Sequence, residues 1–202
     1  MDTIYSLFQK VVKEHENAPA IIENDRAMTF GELSNMVDMI TCSFPQEVHS
    51  IGIVMRHRTE MIASILAVLK CGGRYVPAEP DFPTGRIHDM MTEAQVDFVL
   101  TEHAFAPKLS SFPIRYTDCE ICGVETPSWK RNAIEDPERP AYVLYTSGTT
   151  GRPQKVSVSP TAMFAIMSVP LPTSSIPAPV MSCCNIPSVL LTSLWRKCSP
   201  VC

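Results

Sequence analysis

Short apolar runs alternate with amphipathic stretches along the chain as far as Tyr145, and this alternation restricts the fold more than any other feature. In the amphipathic stretches apolar residues recur every three or four positions, as they do on one face of a helix. The runs between them are short and mostly apolar, as buried strands are. Strands alternating with amphipathic helices predict an α/β fold, with a largely parallel sheet covered by helices on both faces.

Four stretches have helical periodicity. Thr29 and Glu32 have the spacing of a capping box and predict the start of the second helix, and Gly72 and Gly73 predict the end of the third. The residues expected on the buried faces are Ile4, Leu7, Phe8, Val11 and Val12; Leu33, Met36, Val37 and Ile40; Met61, Ile62, Ile65, Leu66 and Leu69; and, within Arg86–Ala94, Ile87, Met90 and Met91. Strands are predicted at 20–22, 50–55, 75–76, 96–100, 113–116 and 141–145.

Composition narrows the classes of function. The formal net charge of −4 gives no basic face for nucleic acid. The N-terminus lacks a signal peptide pattern, and no window contains the roughly 20 apolar residues of a membrane helix. We therefore expect a cytoplasmic protein whose cysteines are reduced thiols. Cys119 and Cys122 have the spacing of metal ligands, but one pair does not complete a tetrahedral zinc site, so no metal is predicted.

A loop rich in glycine and hydroxyl groups follows the strand that ends at Tyr145. It contains Thr146, Ser147, Gly148, Thr149, Thr150 and Gly151, with Lys155 soon after. Glycines bring backbone N–H groups close to an anion, and hydroxyls donate to phosphate oxygens. A plain surface turn has the same composition. The spacing matches neither a Walker loop, since Lys155 is followed by Val156, nor a dinucleotide fingerprint.

Three segments resemble the adenylate-forming superfamily, and most of all the adenylation domains of nonribosomal peptide synthetases. Residues 141–153 resemble the family's signature loop. The stretch Leu69–Ile87, with Gly72 and Gly73 near its start, looks like the family segment L-K-A-G-G-A-Y-V-P-I-D-P-x-Y-P-x-x-R-I. Residues 28–33 are similar to its L-T-Y-x-E-L helix start. The resemblance implies that residues 1–165 are the first part of the large N-terminal domain of such an enzyme, a partial adenylation domain.

The resemblance also implies a reaction. A carboxylic or amino acid attacks the α-phosphate of ATP, which is bound with Mg²⁺ in the complete enzyme, and a carrier protein's phosphopantetheine thiol then accepts the acyl group. The phosphate loop would be Thr146, Ser147, Gly148, Thr149, Thr150 and Gly151, helped by Lys155. The Leu69–Ile87 segment would be architectural, its glycines ending a helix and its prolines fixing a connection. The catalytic residues stay unknown.

Some positions depart from the family pattern. The family loop ends P-K-G-V, whereas this chain has Pro153, Gln154, Lys155 and Val156. An amide thus stands in the lysine position, and weaker phosphate binding is expected. Pro160 stands where the family often has histidine. The family's ribose-binding aspartate, magnesium-binding glutamate and C-terminal catalytic lysine have no matching motif in this sequence.

The last part of the chain has a different composition. From Pro160 to Cys202 there are seven prolines and four of the eight cysteines, and no acidic residue follows Glu138. This shift predicts a Pro/Ser/Cys-rich tail over residues 166–202, which is translated out of frame or is a genuine divergent tail.

Three functions stay open at the level of sequence. The first is the N-terminal fragment of an ATP-dependent ligase, inactive alone. The second is a non-catalytic truncated product, or a module that binds nucleotide or protein. The third is an unrelated ATP- or phosphate-binding protein with the same loop chemistry.

Overall fold

A computed structural model describes residues 2–23, 26–117, 131–147 and 153–160; for 146–147 and 153–160 it describes the backbone alone. Within these ranges lie four α-helices and a 3₁₀ helix: α1 (Ile4–His15), α2 (Phe30–Cys42), α3 (Thr59–Lys70), α4 (Thr84–Glu93) and the 3₁₀ helix His103–Leu109. The strands in the same ranges are β1 (Pro19–Glu23), β2 (Arg26–Thr29), β3 (Ser50–Val54), β4 (Arg74–Pro77), β5 (Phe98–Thr101), β6 (Ile114–Tyr116), β7 (Pro140–Ser147) and β8 (Pro153–Pro160).

The larger sheet of the described residues has the strand order β6-β5-β3-β4-β7-β8. Every neighbouring pair from β6 to β7 is parallel, and β8 pairs with β7 in the antiparallel direction. Strands β1 and β2 form a separate antiparallel hairpin. The predicted α/β fold with a largely parallel sheet is confirmed.

Each face of this sheet is buried under helices, as predicted. Alternate side chains of a strand point to opposite faces, so successive residues enter different cores. Ile53 of β3 and Tyr75 of β4 pack with residues of α1, α2 and α3. Their neighbours Val54 and Val76 pack on the other face, against α4 and Leu109 of the 3₁₀ helix.

The second helix begins as its sequence predicts. The Thr29 hydroxyl accepts a hydrogen bond from the Glu32 N–H at 3.2 Å, and the Glu32 carboxylate accepts one from the Thr29 N–H at 2.8 Å. These two bonds satisfy N–H groups that the first turn of a helix leaves free. Leu33, Val37 and Ile40 are buried below them, and Met36 is half-buried.

The first helix faces the core with Ile4, Phe8, Val11 and Val12, as predicted, and also buries Tyr5 and Ser6. The described buried residues of α1 are Tyr5, Ser6 and Phe8, whereas Ile4, Leu7, Val11 and Val12 are half-buried. The Phe8 ring is 6.4 Å from Phe30 of α2, and Tyr5 lies beneath the ammonium of Lys70. Aromatic contacts to α2 and α3 thus add Tyr5 to the inward side of α1, and aliphatic periodicity alone does not detect this addition.

Three described elements are absent from the predictions: strand β2, the 3₁₀ helix and strand β8. Strand β2 exists because it pairs with β1, while Arg26 and Ala27 are exposed and give no alternation. The 3₁₀ helix contains Pro107, which interrupts helical periodicity. Helix α4 also begins earlier than predicted, at Thr84 directly after Pro83.

Candidate functional site

The predicted phosphate loop joins β7 to β8. Thr146 and Ser147 are the last residues of β7, and their backbones pair with Gln154 and Pro153 of β8. Lys155 pairs with Tyr145. Gly148, Thr149, Thr150 and Gly151 lie outside the described residues. The described backbone therefore places the ends of the loop side by side at the carboxyl end of β7.

The ladder beside the loop is irregular. Leu144 pairs with Ser157 and Tyr145 with Lys155, so Val156 is an extra residue on β8. An extra residue of this kind is a β-bulge, which bends the strand and increases its twist. The bulge thus lies directly next to the position of Lys155.

Strand β4 is the parallel neighbour of β7 and comes from the predicted architectural segment Leu69–Ile87. Tyr75 is paired with Tyr142 of β7, and their ring centroids are 5.9 Å apart. Gly72 ends α3 with a φ of +69°, a left-handed conformation that glycine adopts without strain. The predicted role of the glycines as the end of a helix is confirmed.

Parallel strands end at the same edge of a sheet, so the residues that follow β3, β4 and β5 lie along the edge where the loop begins. The Arg56 N–H donates to Glu102 Oε1 at 2.7 Å, and its guanidinium lies 3.5 Å from Glu102 Oε2. His57 Nε2 lies 3.4 Å from Glu79 Oε1. Sequence reasoning missed these groups, because each pair joins distant parts of the chain and has no motif.

The Arg56 guanidinium is held by more than its carboxylate partner. The Arg56 guanidinium is also 5.3 Å from the centroid of the Phe105 ring, which fixes it from a second side. The Glu102 side chain is only 12% exposed. The Arg56–Glu102 pair therefore links the ends of β3 and β5 and does not offer a free cation to a phosphate.

Tyr145 is a second group near the loop that the sequence did not single out. Among the residues that the structure describes, its buried hydroxyl has no hydrogen-bond partner. Burial, followed by the negative charge of Glu93, raises its pKa from 10.0 to about 12, against a smaller opposing effect of Arg74. The hydroxyl is therefore protonated at neutral pH.

Neither a metal-binding cluster nor a membrane-spanning helix occurs within the described ranges. No group of three or more His, Cys, Asp or Glu side chains there is arranged to hold a metal ion. Cys119 and Cys122 lie outside those ranges. None of the described helices is both long and apolar enough to cross a membrane.

A doubly covered, largely parallel sheet with a glycine- and hydroxyl-rich loop at the carboxyl end of a strand is typical of α/β proteins that bind anionic ligands. The chain belongs to the AMP-binding enzyme family, whose model matches residues 8–182. The resemblance seen in the sequence is therefore confirmed.

The relatives of this chain include two synthases of peptide antibiotics. Bacitracin synthase 2 of Bacillus licheniformis is 31% identical over 156 residues, which are 75% of this chain and 6% of that protein. Tyrocidine synthase 3 of Brevibacillus parabrevis is 32% identical over 164 residues, which are 77% of this chain and 2% of that protein. The chain thus spans a small part of the length of these relatives.

Solved structures of the same class share the fold. The nonribosomal peptide synthetase FmoA3 superposes with a TM-score of 0.69 and 22% identity, over 82% of this chain and 18% of that one. The N-terminal subdomain of NpsA from Klebsiella oxytoca, in complex with 3-hydroxyanthranilyl-AMSN, gives a TM-score of 0.70 and 18% identity, over 85% of this chain and 44% of that one.

Proposed function

We propose that this chain is the ATP-binding N-terminal portion of a ligase that activates an amino acid or another carboxylic acid as its acyl-adenylate. The observation that carries the proposal is the position of the Ser/Thr/Gly loop, which follows Ser147 at the carboxyl end of β7 in a sheet of the AMP-binding family. An FmoA3 structure with bound AMPPNP and another with bound alpha-methyl-L-serine-AMP support the ligand class.

The chemistry follows from the ligands. A carboxylate oxygen attacks the α-phosphorus of ATP, the bond from that phosphorus to the bridging oxygen breaks, and pyrophosphate leaves with the electron pair. Two anions must approach each other, so positioning and neutralisation of charge lower the barrier most. We assign the hold on the β- and γ-phosphates to the loop, with these residues: Thr146, Ser147, Gly148, Thr149, Thr150, Gly151 and Lys155.

A second step completes the proposed reaction. The thiol of a phosphopantetheine carrier attacks the acyl carbonyl and AMP leaves, so the proposed partners are ATP, the acid and a carrier protein. Magnesium belongs to the proposal as the ion that accompanies ATP in the complete enzyme. We place this activity in the cytoplasm.

The extent of the functional unit is part of the proposal. We propose that residues 1–165 belong to the adenylation domain and that residues 166–202 form a tail of different origin, on the basis of composition. The family match continues to residue 182. Sequencing the gene across codon 165 tests the boundary, because an out-of-frame tail requires a second reading frame that resumes adenylation-domain sequence.

Titration of the purified chain with ATP by calorimetry tests the proposed function. We expect binding that is weakened about tenfold or more in the double variant Thr149→Ala/Thr150→Ala, because two hydroxyl donors to phosphate are lost. Thr92→Ala, an exposed threonine of α4, is the matched control and should bind as the wild type does. A cooperatively folded chain that binds no ATP would overturn the proposal.

Gln154, in the family's lysine position, favours a second candidate: a nucleotide-binding product without catalysis, inactive alone. Both candidates are expected to be inactive alone, so the assay that separates them is acid-dependent exchange of pyrophosphate into ATP in the presence of a second polypeptide that supplies the rest of the adenylation domain. Exchange with any of the amino or aryl acids tested supports the ligase. ATP binding without exchange supports the second candidate.

A further inference from the structure

The connection that leads into β7 is attached to the C-terminal ends of two helices. Arg131 Nη2 donates to the Pro45 carbonyl just beyond α2 at 2.8 Å. The Ile134 N–H donates to the Lys70 carbonyl of α3 at 2.9 Å, and Arg139 Nη1 donates to the Gly72 carbonyl at 3.0 Å. Carbonyls at the end of a helix lack partners within it and carry partial negative charge, so guanidinium groups are favourable there.

The contact between Arg139 and Gly72 is close enough to exclude other side chains. A Cβ atom on Gly72 would lie 2.6 Å from Arg139 Nη1 and 3.0 Å from Ile134 Cβ. On its other side, Arg139 Nε lies 3.6 Å from Asp136 Oδ2. The guanidinium is thus held between a carboxylate of its own connection and the backbone of the turn between α3 and β4.

The hydrogen bond between Arg139 and Gly72 lies close along the chain to the residues that pair β7 with β4. Arg139 directly precedes β7, and Tyr142, three positions later, is the β7 residue paired with β4. Its partner Tyr75 is three positions beyond Gly72. On each of the two segments, therefore, three positions separate the Arg139–Gly72 hydrogen bond from the Tyr142–Tyr75 pair. The hydrogen bond and the strand pair together define the register of β7 against β4.

Register controls the position of the loop. A slip of one residue moves a strand along its neighbour by roughly 3.3 Å and turns each side chain to the opposite face. Such a displacement is larger than a phosphate cradle tolerates, since misplacement by about 1 Å already weakens catalysis. The start of β7 must therefore be fixed if Thr146 and Ser147 are to lead the loop to the phosphates.

We propose that Arg139 is a positioning residue for the phosphate loop, which acts through its hydrogen bond to the Gly72 carbonyl by fixing the register of β7. The role of the loop rests on the proposed function, whereas the fixing of β7 does not depend on it.

Amide hydrogen exchange, read by mass spectrometry on the full chain, tests the inference without a ligand. In Arg139→Ala we expect exchange of the β7 and β8 amides to be faster by about tenfold or more, with β3 unchanged. Arg115→Ala is the matched control. Like Arg139, Arg115 donates from its guanidinium to a backbone carbonyl just beyond a helix: Nε lies 3.1 Å from the Ser43 carbonyl oxygen, at the end of α2. Unlike Arg139, Arg115 lies in β6. We expect this control to leave exchange in β7 unchanged.

Arg139→Lys keeps the charge and one donor, and it should give intermediate exchange in β7. If Arg139→Ala does not fold, amide exchange of β7 in Arg139→Lys tests the inference instead. Unchanged protection of β7 in the folded arginine variants would overturn the inference.

Titration with pyrophosphate adds the functional readout, with weaker binding expected in Arg139→Ala and wild-type binding in Arg115→Ala. A wild-type chain that binds no pyrophosphate contradicts the proposed function, while the exchange data still decide the role of Arg139.

Discussion

The Lys70 ammonium of α3 donates a hydrogen bond to the Asp38 carboxylate of α2 inside the larger core, where the two side chains are only 4% and 5% exposed. The ammonium also lies 5.7 Å from the centroid of the Tyr5 ring of α1. Burial disfavours the ammonium, but its hydrogen bond to Asp38 and the Tyr5 hydroxyl outweigh this effect and raise the pKa of Lys70. Three helices thus meet at one buried ion pair.

Removing one member of the Lys70–Asp38 ion pair should destabilise the folded chain. In Asp38→Ala the Lys70 ammonium stays buried without its carboxylate, so we expect a loss of about 3–5 kcal/mol in the free energy of unfolding. The double variant Asp38→Leu/Lys70→Met should recover most of it, because an apolar pair needs no desolvation of charge. Urea denaturation measures both. Asp2→Ala, which breaks the exposed Lys10–Asp2 pair, is the control and should scarcely move the midpoint.

Two glycines should respond to alanine in opposite directions. Gly72→Ala places a Cβ in a left-handed conformation and against Arg139, so we expect a loss of about 2 kcal/mol or more. A Cβ on Gly85 of α4 meets no atom within 4 Å, and Gly85→Ala should stabilise the chain by up to about 1 kcal/mol through helix propensity. Thermal unfolding of the two variants checks the pair. Equal effects would contradict the difference in environment.

The first residue of α3 is capped by a carboxylate from another element, the β1–β2 hairpin. Glu23 Oε2 accepts hydrogen bonds from the Thr59 N–H at 3.2 Å and the Thr59 hydroxyl at 2.8 Å, while Arg58 makes no side-chain cap. Glu23→Ala should cost about 1 kcal/mol, as the loss of a helix cap does. Glu23→Gln keeps an acceptor and should cost less. Glu47→Ala, at an exposed position, is the control for chemical denaturation.

Stability should fall at alkaline pH. The pKa of Tyr145 is raised in the folded chain to about 12, and those of Lys70 and Tyr5 are also raised. Above about pH 10 the unfolded chain releases these protons first, so it binds fewer protons than the folded chain and is favoured as pH rises. Burial also raises the pKa values of the Cys42 and Cys71 thiols, so urea midpoints should be level from neutral pH to about pH 9 and then decline. Tyr145→Phe should reduce the decline.

Restoring the family's lysine should strengthen phosphate binding. Gln154→Lys adds a cation beside the loop, and a charge-assisted hydrogen bond predicts about tenfold tighter binding of ATP. Gln46→Lys adds the same charge at an exposed position between α2 and β3 and serves as the control. An equal gain in both variants would show that overall charge, rather than the loop, governs affinity.

The parts of the fold that were predictable depend on neighbours in sequence. The capping box of Thr29 and Glu32 is read directly, because both partners lie within one helical turn. The buried face of α4 is also predicted correctly, because Ile87, Met90 and Met91 repeat at helical spacing. Strand β2 was missed because its existence depends on pairing with β1, not on its own composition.

Only the part of the site that is continuous in sequence, the loop, was predictable. Thr146 and Ser147 were predicted in the loop, whereas their backbones form the last two residues of β7, and the functions assigned to residues 146–151 and Lys155 remain predictions. The contacts of Arg56 with Glu102 and of Arg139 with Gly72 join residues far apart in sequence. Periodicity and local motifs contain no information about such pairs, since tertiary packing creates them.

The strand order has a consequence for synthesis on the ribosome. Strand β4 pairs with β3, which precedes it, but its other neighbour is β7, which begins only at Pro140. While residues 78–139 are being translated, one edge of β4 has unpaired N–H and C=O groups, and exposed edges of this kind recruit strands from other chains. The nascent protein must therefore keep Arg74–Pro77 apart from its copies until its own later residues arrive.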